Sequence, residues 1–84
     1  MAKRSVSMVF YYKYEPRIMK HTQHFVDCFD KLEHAEMLAN IRVKNLAEKL
    51  KRSEEPVFGP NDRIPQPEQL MAIDSYYVIL QKFF

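Results

Sequence analysis

The chain has 84 residues, of which 46% are apolar and 13% aromatic, and its 13 Lys and Arg against 11 Asp and Glu leave a formal net charge of +2. That length permits one small domain and that composition can build a core, while no run approaches the ~18 apolar residues of a membrane span. One cysteine, Cys28, excludes an internal disulfide and fits a reducing, cytoplasmic compartment.

The opening residues include Lys3 and Arg4 but no uninterrupted apolar stretch or small-residue cleavage site, so no signal peptide is expected. From Ser5 to Tyr14 the residues alternate. Val6, Met8, Phe10, Tyr12 and Tyr14 share one side, and Ser5, Ser7, Val9, Tyr11 and Lys13 share the other. The period of two, with β-branched and aromatic content, predicts a strand whose buried face is the first of these sets. Glu15-Pro16-Arg17 then marks a turn.

Residues 17–29 fit two patterns: Ile18, Thr22, Phe25 and Phe29 have helical spacing, and alternation across the same stretch fits a strand. Asp30-Lys31-Leu32-Glu33 has the form of a capping box and places a helix start at Asp30, so 17–29 is read as the second strand of a hairpin over 5–29. A helix over 30–52 follows, with Leu32, Ala35, Ala39, Val43, Leu46 and Leu50 in a stripe that faces the sheet. The alanines allow a sheet to approach closely. Lys49, Lys51 and Arg52 suit the carbonyl end of the helix dipole, and Pro56 prevents continuation.

Residues 53–67 hold four of the five prolines, Pro56, Pro60, Pro65 and Pro67, and the single glycine, Gly59. They are read as a Pro-rich loop anchored by Val57, Phe58 and Ile64. Pro67-Glu68-Gln69-Leu70 predicts the first turn of a short helix. The Tyr76-Tyr77-Val78-Ile79 cluster then favours a C-terminal strand over a helical stripe through Leu70, Ile73, Tyr77, Leu80 and Phe84. The expected architecture is a single α+β domain over 1–84: a small antiparallel sheet, made of the N-terminal hairpin and the C-terminal strand, packed on one long amphipathic helix.

Candidate chemistry is sparse. His21, His24, Cys28 and His34 are the metal-ligand residue types that cluster, but their spacing departs from paired Cys/His patterns, and on a strand His21 and His24 point to opposite sides. No metal ligand and no cofactor are expected. Cys28, with His24 on its strand face and Asp27 and Asp30 nearby, reads as a buried structural thiol because the carboxylates disfavour thiolate. One glycine cannot build a phosphate-binding loop, and no nucleophile or carboxylate constellation stands out, so no catalytic residue is assigned.

Two surfaces remain. Met37 and Ile41, an i,i+4 pair, lie roughly 140–180° from the helix's core stripe, with Glu33, Lys44 and Glu48 around them. Two apolar side chains there are commonly scattered surface residues, yet adjacent on one ridge within a charged rim they form a candidate contact site. With Lys44, Glu48 and Phe58 they constitute the expected partner-binding set. Alternatively, Tyr11 and Lys13 on the outer face of the first strand, with Lys3 and Arg4 beside them, offer a stacking and phosphate-neutralising surface. The predicted function is a small non-enzymatic protein-binding module, an adaptor or inhibitor acting by surface occlusion, of a size common among phage-encoded proteins. Single-stranded nucleic-acid binding is the alternative, and a small metal-binding protein a distant third. A chain this short buries only ~60% of its unfolded surface, and with six Phe, five Tyr and five Met a homodimer is expected.

Overall fold

Alternation at the N-terminus becomes a hairpin of β1 (Ser5–Glu15) and β2 (Lys20–Phe29). The computed structural model describes residues 4–60 and 65–84, so Lys3 and the anchor expected at Ile64 lie outside the described residues. Between the strands the Glu15 carbonyl accepts from the amides of Ile18 at 3.2 Å and Met19 at 2.9 Å, and Met19 closes the turn at φ 56°. The strand reading of 17–29 thus holds from Lys20 onward, with the turn at 16–19.

The hairpin carries one irregularity with large consequences. Val9 lies opposite Asp27 but Phe10 lies opposite Phe25, so Val26 is an extra residue on β2. A bulge of this kind reverses the alternation of everything beyond it. His21, Gln23 and Phe25 share a face with Cys28, while His24, Val26 and Phe29 turn to the other. Cys28 and His24 therefore do not share a face, which corrects the expectation from simple alternation.

The helix α1 spans Leu32–Leu50, shorter than the expected 30–52. Its N-cap is Lys31, with no side-chain capping bond, and the capping box expected of Asp30 and Glu33 does not form. Asp30 sits one residue before the cap, and its carboxylate accepts from Arg4 at 3.1 Å instead. At the other end Lys51 adopts a left-handed conformation with φ 52°, and the Arg52 amide donates to the Ala47 carbonyl at 3.0 Å. This is the αL stop common at helix ends, and it leaves Arg52 outside the helix.

Beyond α1 come β3 (Val57–Phe58), α2 (Pro67–Met71) and β4 (Ser75–Phe83). Pro67 takes the first helical position, and Gln66 and Gln69 cap one another reciprocally, the Gln66 amide donating to Gln69 Oε1 at 3.0 Å. The sheet order is β2-β1-β4-β3. β1 is antiparallel to both neighbours, as expected. The stretch read as loop adds β3, which pairs parallel to β4 and makes the sheet mixed. The α+β architecture with one long helix against the sheet is as the sequence predicts.

Topology decides which face the helix covers. The path β2–α1–β3 joins parallel strands in one direction across the sheet, and β3–α2–β4 returns in the other. A fixed crossover hand then sends the two connections to opposite faces. The core lies between α1 and the sheet, where Val9, Ala35, Ala39 and Ile79 are fully buried and Val43 and Tyr77 nearly so. Tyr11, Val26, Phe29, Leu32 and Val57 pack around them. The covered face of β1 is thus Ser7, Val9 and Tyr11, not the Val6, Met8, Phe10, Tyr12 and Tyr14 set expected. Ala35 and Ala39 let α1 approach closely enough to bury Ser7 and Val9, with Tyr77 and Ile79 of β4 filling the same core. Burial fades along the helix's last two turns, so Leu46 is half-buried and Leu50, expected to face the sheet, is half exposed.

Candidate functional site

The outward ridge of α1 follows from the same stripe. With Ala35, Ala39 and Val43 against the sheet, residues half a turn away must face solvent. Met37 is 58% exposed and Ile41 52%, and the charged side chains of Glu33, Lys44 and Glu48 are exposed around them. Four of the five residues of the expected partner-binding set therefore share one accessible ridge. Phe58 does not join them. It sits half-buried on β3, edge-on to the Tyr76 ring at 5.7 Å, on the far side of the sheet from α1. The sequence offered no signal for this, because Phe58 was read in a loop rather than in a strand with a defined face.

The surface proposed for nucleic acid is dismantled by the helix. Tyr11 points under α1, not outward; its ring lies 4.9 Å from that of Tyr77 and its hydroxyl donates to Glu55 Oε2 at 3.0 Å. Burial, ahead of the neighbouring Glu55 carboxylate, raises its pKa above the ordinary 10.0 of tyrosine. Arg4 is drawn to Asp30, Lys13 remains exposed, and Lys3 lies outside the described residues. What was read as a stacking platform is the floor of the core.

Tyr11 belongs instead to a polar cluster beside the end of α1. Glu55, with only 6% of its side chain exposed, accepts at Oε2 from the hydroxyls of Tyr11 and Ser75, and the Arg52 guanidinium forms an ion pair with the same oxygen at 3.6 Å. The Pro56 carbonyl beside it takes the Tyr77 amide at 2.9 Å. Burial also raises the Tyr77 hydroxyl's pKa, against a lowering hydrogen bond from Arg42. Hydroxyls and a guanidinium gathered on Oε2 fix the segment between α1 and β3 against the sheet, while Glu55 Oε1 is buried without a hydrogen-bond partner among the described residues.

The histidines and cysteine are spread apart, and Cys28, expected to be buried, is exposed because it lies on the edge strand β2 on the face away from α1. His21 Nε2–H donates to the Ile73 carbonyl at 2.6 Å, His24 lies by Thr22 on the opposite face, and His34 meets Phe29 edge-on at 6.4 Å. Among the described residues no group of three or more His, Cys, Asp or Glu is placed to hold a metal ion. Among them, too, no helix is long and apolar enough to cross a membrane.

The face of the sheet turned away from α1 is the surface that sequence reasoning missed as a surface. Rows of paired residues cross it: Cys28, Met8 and Leu80, then Phe25, Phe10 and Val78. The chain returning to β4 reaches this face at its Tyr14 and His21 end, through the bond from His21 to Ile73, and Tyr76 is buried there against Tyr12 and Phe58. Toward the other end Phe25 is 60% exposed and Leu80 39%. Neither a protein-family model nor a curated protein nor a solved structure matches the chain significantly.

Proposed function

We propose that the chain is a small non-enzymatic protein-binding module, an adaptor or inhibitor that acts by covering part of its partner's surface in a reducing compartment such as the cytoplasm. The observation that carries this reading is the Met37–Ile41 ridge. Two large apolar side chains, each more than half exposed, stand one helical turn apart on the outside of the longest helix, ringed by Glu33, Lys44 and Glu48. An apolar centre with a charged rim is the usual anatomy of a contact patch, and methionine adapts its shape to what it meets. An exposed thiol at Cys28 fits a reducing location. The nucleic-acid reading has lost its aromatic platform, since Tyr11 lies under the helix.

The test is a comparison of tagged wild type with a Met37→Lys/Ile41→Lys variant in affinity capture from the native host. Both sites are exposed, so the helical circular dichroism of the variant should match wild type. Loss of the captured protein from the variant supports the ridge as the binding surface. An unchanged captured set with intact folding removes it.

A further inference from the structure

We infer that the cleft between the C-terminal half of α1 and the sheet is a binding site for a small aromatic carboxylate. The cleft follows from what lies beneath the helix. Ala35 and Ala39 close on Ser7 and Val9, but farther along the floor is a row of rings, His24 of β2, Tyr11 of β1 and Tyr77 of β4. The rings of Tyr11 and Tyr77, 4.9 Å apart, are too bulky for α1 to settle on, and Leu46 above them stays half-buried. Two hollows open there. One of about 370 Å³ lies over Tyr11, His24 and Val26, and one of about 270 Å³ lies beside Asn45 and Lys49. Arg42, Leu46 and Tyr77 line both, so the two adjoin and reach the roughly 300–1,000 Å³ of a small-molecule site.

The lining selects the ligand. Leu46, Val26 and the two tyrosine rings offer apolar and aromatic surface, and Arg42 and Lys49 supply the charge. Among the described residues no carboxylate lines either hollow, and neither cation takes part in an ion pair. Glu55, which accepts from the Tyr11 hydroxyl, already has its charge met by Arg52. Arg42 donates to the Tyr77 hydroxyl, which orients the guanidinium where the hollows meet and leaves it further donors. A guanidinium holds a carboxylate through two parallel hydrogen bonds, and a flat ring attached to that carboxylate would lie on Leu46, Val26 and the tyrosines. A cationic ligand would be repelled by Arg42 and Lys49, and a bare inorganic anion would leave the apolar lining unused.

The site is independent of the Met37–Ile41 ridge, which lies on the opposite side of α1. Its test is a titration of the isotope-labelled full chain with naphthalene carboxylate, followed by NMR. Shifts of the Leu46 and Tyr77 amides should saturate at roughly millimolar ligand or below, and the neutral carboxamide of the same ring should bind at least about tenfold more weakly. Arg42→Met keeps the aliphatic stem and removes the guanidinium, and it should raise the dissociation constant roughly tenfold. Lys49→Met, which touches one hollow alone, should raise it about twofold. The absence of a saturable shift overturns the inference, as does equal binding of the carboxamide, the result that a merely apolar cleft predicts. Undiminished binding by a folded Arg42→Met variant overturns it too. Should that variant fail to fold, the ratio of carboxylate to carboxamide affinity in wild type decides.

Discussion

The two faces of the sheet differ in a way that inverts simple expectation. The face under α1 holds Ser7, Val9, Tyr77 and Ile79, mostly compact side chains, and is sealed. The opposite face holds Met8, Phe10, Phe25 and Leu80, larger and more uniformly apolar; Tyr76 and Val78 are buried on it, Met8 and Phe10 half-buried, and Phe25 and Leu80 exposed. Burial within one chain therefore went to the side that an alanine-bearing helix can approach and that the crossover topology allows. Apolar content alone did not choose it.

Neighbours on β4 offer the sharpest way to break this comparison. Ile79 is fully buried under the helix, and Leu80, next in sequence, points to the open face. Ile79→Ala should cost about 3–4 kcal/mol, because transfer and cavity terms both apply in a closed core. Leu80→Ala should cost about 1 kcal/mol or less when measured by urea unfolding, because Leu80 is 39% exposed and leaves no closed cavity. Equal costs for the two would mean that both faces are sealed in the single chain, and the distinction would collapse.

A smaller effect should come from Gly59, which follows β3 at φ 85° and rests against the backbone of β4. A Cβ there would lie 2.5 Å from the Ile79 carbonyl oxygen, a main-chain atom that cannot swing aside. Gly59→Ala should destabilise by about 2–3 kcal/mol through this clash and the left-handed backbone. Because the strain falls at the β3–β4 seam, hydrogen exchange should report it first at the Tyr77 amide, which donates to the Pro56 carbonyl. An alanine variant as stable as wild type would show that β3 is a dispensable edge.

What the sequence made legible follows the range of the forces involved. The hairpin, α1 and the C-terminal strand are visible because alternation, the Leu32-to-Val43 stripe and the Tyr76–Ile79 β-formers are local patterns. The Met37–Ile41 ridge was legible for the same reason, since a residue's angle around a helix is set by its own helix. Which face of β1 is covered was not local. It depends on β3, a strand of two residues without a pattern of its own, which turns the connections into crossovers. The bulge at Val26 was equally hidden, because an extra residue leaves composition unchanged while flipping Cys28 against His24. Asp30 failed as a cap for a tertiary reason too, namely Arg4, 26 positions away in sequence. The aromatic character of the open face was read correctly from Met8, Phe10 and Tyr12. Its role was not, because alternation says that a strand has two faces without saying which one the helix takes.

The mildest change sharpens the comparison from beneath the helix. Tyr11 reaches Glu55 from the covered face, and burial holds its hydroxyl's pKa above 10.0. In the unfolded chain the same tyrosine ionises near 10, so above that pH unfolding releases a proton and stability falls as pH rises. The stabilisation is complete below pH 10, where both states are protonated, and is lost as pH climbs through the folded value. Tyr11→Phe keeps the ring against Tyr77 and removes the hydroxyl. It should cost about 1 kcal/mol at neutral pH, the net worth of one hydrogen bond, since Glu55 retains Ser75 and Arg52. Above pH 10 the cost should shrink, because the variant has one proton fewer to release. Urea midpoints of the two proteins should therefore converge as the solution is made alkaline. Midpoints that stay parallel through pH 11 would place the Tyr11 hydroxyl in water, and the sealed face would have to be redrawn one residue shorter.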